Sequence, residues 1–344
     1  MAAMFLVAFI LVFRGENVGG DTIHYCRFYD GHGSSGYGTI SNYHYLLDVG
    51  FVWLCKFLRL FSDERWFFLI TTSLLTIIPF LYIVYRDSNS KLLPLCFYML
   101  SFNLLTLSQT AIRQNISIAL LLIVFIILTS KNIKGIFKYA IVICFIICSF
   151  FLHSTSILSV LLALVVYFIP LRRWSTLLML GIVLTIMVLK IDITGFVYEL
   201  VSKNVKISGM THYISGYAYA IKENKFSLMS LLQISLLTTS ALLCSNRIFK
   251  GKDRKNFIMK CFFFGGAITI IGNGFVLICR IVYLLTFLGI TISLDDYNKK
   301  NKLLPRIGFL LCLFSLFIYQ ILYLSTQRSA VIHDHMIPYN FIFE

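Results

Sequence analysis

Long apolar runs separated by short polar segments cover most of the 344-residue chain. A run of about 20 apolar residues is what about 30 Å of hydrocarbon requires. Such runs predict eleven membrane-crossing helices, at about 1–13, 66–85, 92–108, 112–129, 136–152, 154–170, 175–190, 226–246, 256–272, 275–293 and 304–324. The pattern therefore predicts an all-α, multi-pass membrane protein. No repeat or separate soluble domain interrupts it, so we expect residues 1–344 to form a single integral membrane domain.

Two polar connections, at about 14–65 and 191–225, are much longer than the others. Connections of this length are uncommon unless they serve a function. In the first, residues 45–61 carry apolar and basic side chains at helical spacing, which is typical of a helix lying in the membrane interface. The second contains a tyrosine cluster that includes Tyr217. We therefore expect both connections to contain interfacial helices on one side of the membrane.

More than half of the 30 lysines and arginines fall in alternate connections between the apolar runs. By the positive-inside rule, these connections face the cytoplasm. The N-terminus is then cytoplasmic, whereas the C-terminal tail and both long connections are extracytoplasmic. The formal net charge of +15 thus reflects topology and does not indicate a nucleic-acid partner.

The cysteine and histidine patterns do not predict a metal or a cofactor. Most of the nine cysteines lie inside apolar runs, where cysteine behaves as a small hydrophobic residue. Cys26 and Cys55 lie in the first long connection, where the sequence allows a disulfide but does not require one. His333 and His335 supply only half of a metal site, and the glycine-rich nucleotide-binding motifs do not occur.

Arg113, followed by Gln114, lies at a polar interruption between two apolar runs. An arginine facing hydrocarbon costs about 2.5–3.5 kcal/mol on insertion scales, so such a residue faces a water-filled cavity or an anion, or extends to the lipid headgroups. Arg280 lies about one and a half turns inside another apolar run, with Tyr283 on the same helical face. Together, Arg113 and Arg280 could hold a phosphate or pyrophosphate through paired hydrogen bonds.

His153 and two aspartates are candidates for acid–base chemistry on the same side of the membrane. His153 lies at the outer end of an apolar run, where it is either a hydrogen-bonded turn residue or a base that removes a proton from a hydroxyl. Asp21 precedes a short amphipathic segment, so it is either a helix N-cap or a carboxylate that acts as a base or binds a sugar hydroxyl. Asp48 is open to the same two interpretations.

Several short motifs follow one another along the chain. They are Arg14 followed by Gly20-Asp21-x-x-x-Tyr25, Asp48-x-Gly50-Phe51, Arg113-Gln114, Phe151-Leu-His153-Ser154, Arg280-x-x-Tyr283 and Pro338-Tyr339-Asn-Phe341. Their order resembles the EpsG-like branch of the Wzy-type O-antigen and exopolysaccharide polymerases over nearly the full chain. That family tends to carry glutamate at the position of Asp48, so this chain departs from the pattern there.

The resemblance implies a glycosyltransferase of the bacterial plasma (inner) membrane, with a GT-C-like helical fold and an active site on the extracytoplasmic face. Its substrates would be undecaprenyl-pyrophosphate-linked oligosaccharides. The growing glycan would pass from its lipid carrier to the terminal sugar of a new lipid-linked repeat unit, without a nucleotide sugar, metal or cofactor. Membrane lipids and a chain-length regulator are the other partners that the resemblance suggests.

The candidate residues then divide into three groups by role. Pyrophosphate would be bound by Arg113, Arg280 and Arg14. The base would be His153 as first choice and Asp21 as second. The glycan would be bound, or the other groups positioned, by Gln114, Tyr25, Asp48, Tyr283 and Tyr217.

Two other classes of protein stay open at this point. One is a flippase or other transporter of lipid-linked oligosaccharides, which needs polar residues through the bilayer midplane and on both faces. The other is a membrane acyltransferase that modifies a glycan, which needs its polar chemistry deeper or nearer the cytoplasm. The concentration of cationic and protic residues at the outer ends of the apolar runs argues against both.

Overall fold

A computed structural model describes residues 2–33, 47–88, 91–100, 108–169, 254–271 and 276–291, together with a few single positions between 39 and 189. The secondary-structure elements in this part of the chain are all helices. They are α1 (Ala2–Val12), α2 (Thr22–Asp30), α3 (Val49–Arg59), α4 (Arg65–Asp87), α5 (Leu92–Leu100), α6 (Ile112–Thr129), α7 (Ile136–Leu152), α8 (Ser156–Phe168), α9 (Arg254–Ile271) and α10 (Val276–Ile290).

Helices α1 and α4–α10 coincide with apolar runs that predict helices, and they confirm the all-helical fold there. By length and composition, α4 and α6 are the described helices able to cross a membrane, whereas the other apolar helices are shorter. The predicted runs at 226–246 and 304–324, and most of 175–190, lie outside the described residues. Eleven crossings and a GT-C-like arrangement therefore stay predictions.

The described chain divides into two compact units. The first contains residues up to Val160, with α1–α7 and the start of α8; the second begins at Leu161 and contains α9 and most of α10, up to Gly289. A single membrane domain over 1–344 stays a prediction.

Helix α6 is the central helix of the first unit. It packs against α4 and α7, and most of its side chains are buried, because it is apolar on nearly all sides. Two fully buried serines join it to α7: Ser117 Oγ donates to the Ser149 carbonyl oxygen at 3.0 Å, and Ser149 Oγ donates to the Ser117 carbonyl oxygen at 3.1 Å. Small hydroxyl residues of this kind let helices approach closely in an apolar environment.

Helices α7 and α8 expose many large apolar side chains. Soluble monomers rarely expose apolar patches larger than a few hundred Å², so such surfaces usually mark contact with lipid or with a partner. Residues with more than half of their surface exposed include Ile136, Phe137, Tyr139, Ile143, Phe151, Leu161, Val165 and Phe168. Together with the hydropathy of α4 and α6, this surface is that of a membrane protein.

The first long connection is folded against the helical bundle. Its α2 and α3 share one apolar cluster with α4, α6 and the end of α7. The cluster consists of Tyr25, Cys26, Phe28, Tyr29, Leu47, Phe51, Val52, Cys55, Leu58, Phe68, Leu69, Ile112, Ile116 and Leu152. The helix predicted within 45–61 is confirmed as α3. Cys26 and Cys55 lie in this cluster as buried free thiols, and burial raises the pKa of Cys26 to about 12.

Candidate active site

The amino-terminal end of α6 contains a buried cation. Arg113 is the second residue of α6 and is 7% exposed, and the neighbouring Gln114 is 3% exposed. The interpretation that Arg113 extends to the lipid headgroups is therefore wrong. The amino-terminal end of a helix carries a partial positive charge, so α6 reinforces the guanidinium at this point.

Asp48 is the carboxylate partner of this cation. Arg113 Nη1 donates to Asp48 Oδ2 at 3.0 Å, and the same oxygen lies 3.4 Å from His153 Nδ1. The backbone N–H of Ser154 donates to the other carboxylate oxygen at 3.4 Å. The side chains of Arg113, His153 and Asp48 are 9%, 10% and 21% exposed, so the carboxylate is the most accessible of the three. A single carboxylate thus contacts both a guanidinium and an imidazole.

His153 occupies the carboxyl-terminal end of α7. Its backbone N–H donates to the Ser149 carbonyl oxygen at 3.0 Å, and its own carbonyl accepts from Ser156 N–H at 3.0 Å. It is therefore a hydrogen-bonded turn residue, and its side chain also contacts a carboxylate. A carboxylate beside Nδ1 favours the tautomer that carries its proton on Nδ1, and in that tautomer Nε2 is the nitrogen that can accept a proton. This geometry is thus compatible with both interpretations of His153, as a hydrogen-bonded turn residue and as a base.

A close contact between two helix backbones brings Asp48 to His153. A Cβ atom at Gly50, in the first turn of α3, would lie 2.7 Å from the carbonyl carbon and oxygen of Phe151. A glycine is needed here because any side chain would overlap the last turn of α7. Asp48 precedes Gly50 by two residues and His153 follows Phe151 by two. The motifs Asp48-x-Gly50 and Phe151-x-His153 therefore form one structural unit.

Tyr25 of α2 completes the surroundings of Arg113. Arg113 Nε donates to the Tyr25 hydroxyl at 3.2 Å, and its guanidinium carbon lies 5.8 Å from the centre of the Tyr25 ring. The Tyr25 ring packs edge-on against Phe51 of α3, with 5.4 Å between ring centres. Since Tyr25 is 3% exposed, it positions the guanidinium and does not present an open sugar-stacking surface.

The segment before α2 packs on the chain that enters α6. Thr22 Oγ1 donates to the Gln109 carbonyl oxygen at 2.9 Å. Gly19 has a φ of +95°, and a Cβ atom there would lie 2.8 Å from the same oxygen. Asp21 occupies the N-cap position of α2, but its side chain makes no capping hydrogen bond. Asp21 is therefore the N-cap residue by position, as the sequence predicted, although its carboxylate does not contribute a capping hydrogen bond. Its role as a second base and the pyrophosphate role of Arg14, which is 3% exposed, stay predictions.

Arg280 and Tyr283 belong to the second unit. Arg280 is half-buried in α10; Tyr283, one turn later, is 2% exposed and packs perpendicular to Phe287 at 4.7 Å. A Cβ at Gly289 would lie 2.5 Å from the Phe262 α-carbon, so α9 and α10 pack backbone against backbone. Pairing of Arg280 with Arg113 stays a prediction.

The remaining candidates lie outside the described residues; they are Tyr217, the histidines at 333 and 335 and the motif at 338–341.

A family model described as the EpsG family matches residues 1–341. The chain belongs to the EpsG family. Membership in the EpsG family supports a general role as a membrane polysaccharide polymerase of glycosyltransferase type. No curated protein and no solved structure matches the chain.

Three of the motifs noted in the sequence meet at the amino-terminal end of α6 in this EpsG-family protein. They are the motif containing Asp48 and Gly50, the arginine at 113, and the motif containing Phe151 and His153. Tyr25, from a fourth motif, contacts the same arginine. Residues of four such motifs thus touch one another, although they are far apart in sequence.

Sequence reasoning did not foresee the contacts made by backbone groups. The Gln109 carbonyl accepts a hydrogen bond from Thr22, and Gly50 packs against the backbone of Phe151. Backbone groups give no residue-type signal at their own positions. The available signal was Gly50 itself, because a glycine inside a helical pattern often marks the close approach of another backbone.

Proposed function

We propose that this EpsG-family protein is a polysaccharide polymerase that transfers a growing glycan from undecaprenyl pyrophosphate to a lipid-linked oligosaccharide repeat unit. The reaction takes place at the extracytoplasmic face of the bacterial plasma membrane. His153 acts as the general base and Arg113 binds the leaving pyrophosphate. Asp48 and Tyr25 position these two side chains.

In the proposed reaction, a hydroxyl of the acceptor sugar attacks the anomeric carbon of the growing glycan. The hydroxyl proton passes to His153 Nε2 as the new carbon–oxygen bond forms. The bond between the anomeric carbon and the pyrophosphate oxygen breaks, and its electron pair stays on the departing pyrophosphate. A carboxylate at Nδ1 stabilises the imidazolium that results, which is what Asp48 supplies at 3.4 Å.

The leaving group needs fixed positive charge in a partly dry site. Arg113 meets this requirement because its side chain is 9% exposed and lies at a helix amino-terminus. A guanidinium has five N–H donors in one plane, so it can contact Asp48 along one edge and a phosphate oxygen along another. We propose Arg280 and Arg14 as further pyrophosphate ligands and Tyr217 as a glycan ligand. Gln114 and Tyr283 are 3% and 2% exposed, so we propose positioning roles for them.

One observation carries the proposal. Asp48 Oδ2 contacts both Arg113, 65 positions later, and His153, 105 positions later. A structural ion pair alone would not require a histidine on the same oxygen. A cation, a carboxylate and an imidazole held together can bind a leaving pyrophosphate and accept a proton from an attacking hydroxyl.

Extension by the purified protein tests the proposal. The full-length chain in nanodiscs is given lipid-pyrophosphate repeat units, without any nucleotide sugar, and products are separated by chain length. We expect ladders of extended glycan with the wild-type protein. We expect them to be lost with His153→Gln and with Arg113→Lys, because the first removes the base and the second replaces a planar five-donor group by a point charge.

Two controls separate chemistry from folding. First, both variants are checked for thermal unfolding in the same nanodiscs. Second, Phe137→Leu on α7 serves as the matched control. We expect it to extend glycan normally because Phe137 is 76% exposed. Full-length ladders from His153→Gln would remove the base assignment. Movement of lipid-linked units across a vesicle without any extension would indicate a flippase instead.

A further inference from the structure

Helix α3 has two apolar faces, and only one of them packs against the part of the protein that the structure describes. Phe51, Val52, Cys55 and Leu58 are buried in the cluster shared with α2 and α4. On the other side, large apolar side chains recur at positions 49, 53, 57 and 60, a spacing that forms one stripe along the whole helix. Trp53 is 66% exposed and Leu60 is 79% exposed.

The exposed stripe has the composition of a surface that meets a membrane interface. Tryptophan is enriched at the headgroup level, where its ring is partly apolar and its N–H can be hydrated. Lys56 lies within the stripe, and its ammonium group is 5.4 Å from the centre of the Trp53 ring. A lysine stem that lies along an aromatic ring can place its charge among lipid phosphates.

Because α3 lies next to α4 in the chain, the stripe lies near the boundary of the hydrocarbon layer. Helix α4 has 23 residues and is about 34 Å long, so its first turn lies near the boundary of an about 30 Å hydrocarbon layer. Trp66 in that first turn is 50% exposed. Only residues 60–64 connect α3 to α4, so the end of α3 lies at the same level.

The short connection between the two helices is held by two hydrogen bonds. Tyr29 donates its hydroxyl proton to the Ser62 carbonyl oxygen at 2.5 Å, and Arg59 Nε donates to Asp63 Oδ1 at 2.7 Å. The direction of α3 relative to α4 is therefore fixed at its carboxyl-terminal end. At its amino-terminal end, Gly50 packs on Phe151.

We infer that the stripe formed by Val49, Trp53, Lys56, Phe57 and Leu60 docks into the headgroup boundary of the outer leaflet and so sets the depth of Asp48. The helix lies flat, because the stripe runs along its full length. Asp48 immediately precedes α3, and therefore Arg113 and His153 lie at the level of the lipid phosphates. This second consequence rests on the proposed function, since that level is where the pyrophosphate of a lipid-linked substrate lies; the docking itself does not.

Tryptophan quenching tests the docking. The chain has three tryptophans, so Trp66→Phe with Trp174→Phe leaves Trp53 as the reporter. The protein is placed in nanodiscs of phosphatidylcholine and phosphatidylglycerol whose acyl chains are brominated either near the glycerol or near the methyl end. We expect the bromines near the glycerol to quench Trp53 most strongly and aqueous acrylamide to quench it weakly. The reverse order would overturn the inference.

Shielding of Trp53 from both the bromolipids and acrylamide would also overturn the inference, because a second protein copy would then cover the stripe. A reporter with Trp66 alone provides the depth reference. If the double variant does not fold, the difference in emission between the wild-type protein and Trp53→Phe gives the quenching of Trp53 instead. None of these readings depends on glycan synthesis, so they stand even if the polymerase proposal fails.

The depth of the site has its own test. Trp53→Ser combined with Phe57→Ser removes the aromatic part of the stripe and leaves Asp48 and its partners unchanged. We expect the double serine variant to lose extension severalfold with an unchanged thermal unfolding temperature. Trp53→Phe keeps an apolar ring, so this variant should extend glycan like the wild-type protein. Normal extension by the double serine variant would overturn the positioning of Asp48 by lipid.

Discussion

At the scale of single residues, Asp48 contacts both the proposed pyrophosphate ligand and the proposed base. Its Oδ2 lies 3.0 Å from the guanidinium of Arg113 and 3.4 Å from the imidazole of His153, so the ion pair is the closer of the two contacts. In the proposed reaction, a phosphate oxygen contacts the edge of the Arg113 guanidinium that Asp48 does not occupy, so Asp48 can stay in contact with both Arg113 and His153.

The charge of Asp48 can be removed with little change in shape by Asp48→Asn. We expect the variant to lose glycan extension and about 1–3 kcal/mol of stability, since it leaves a buried cation without its carboxylate. Asp48→Glu keeps the charge, and the longer side chain still reaches both partners, so it should retain most of the extension. Extension assays and thermal unfolding in nanodiscs measure both effects. Wild-type extension by Asp48→Asn would contradict the role given to this carboxylate.

At the scale of helices, the contact of α3 with α7 decides whether the site forms. Gly50→Ala would place a methyl group 2.7 Å from backbone atoms of Phe151, which cannot rotate away. Alanine alone would favour the helix by up to about 1 kcal/mol, but overpacking of this kind costs about 1–3 kcal/mol. We therefore expect a lower unfolding temperature and a loss of extension, because the shift of α3 separates Asp48 from His153.

The matched control for this prediction is Gly181→Ala. Gly181 is also helical, and a Cβ atom there meets nothing within 4 Å. The control should be neutral or slightly stabilising, and its extension should be normal. Equal effects of the two substitutions on unfolding and on extension would mean that the close contact at Phe151 does not matter.

The serine pair between α6 and α7 is suited to a double-mutant cycle. Ser117 Oγ and Ser149 Oγ lie 2.8 Å apart, and each hydroxyl also contacts the other residue's carbonyl oxygen. We expect each single alanine variant to cost about 0.6–1.7 kcal/mol and the double variant to cost clearly less than the sum. Unfolding in mixed detergent micelles measures the three free energies. Additive costs would show that the two hydroxyls do not interact.

At the scale of the whole molecule, the sequence predicted the helices better than it predicted their contacts. Residues 112–129 were predicted as one helix, and α6 spans Ile112–Thr129, because a charged or polar residue limits each apolar run. Hydropathy acts along the chain and carries no information on which helices pack together. The contact between Asp48 and His153 therefore escaped prediction, although both residues were separate candidates. The choice of Asp21 as the second candidate base, with Asp48 as a positioning residue, stays a prediction.

An ion-pair cluster around Arg65 joins three distant parts of the first unit. Arg65 Nη1 contacts Glu16 Oε2 at 2.7 Å, and Arg65 also pairs with Asp30 at the end of α2. The backbone N–H of His32 donates to Asp30 as well, at 2.9 Å. Since Glu16 follows α1 and Arg65 begins α4, the cluster holds the first long connection against the bundle. The site residue Tyr25 lies on the α2 helix that this cluster anchors.

Acid should release this cluster. Burial alone would raise the pKa of Asp30, but the hydrogen bonds from His32 and Arg65 outweigh it and hold the pKa below its ordinary value. A carboxyl group with a depressed folded-state pKa stabilises the fold above its unfolded pKa of about 3.9, and that contribution is lost as the pH falls through the lower folded value. Arg65→Gln should move the acid-induced rise in hydrogen exchange of residues 14–33 to higher pH. The control is Arg59→Gln, which should leave this acid profile unchanged because its partner Asp63 is 69% exposed. Coincident acid profiles for the wild-type and Arg65→Gln proteins would show that Arg65 does not anchor α2, and the position of Tyr25 would then depend on the apolar cluster alone.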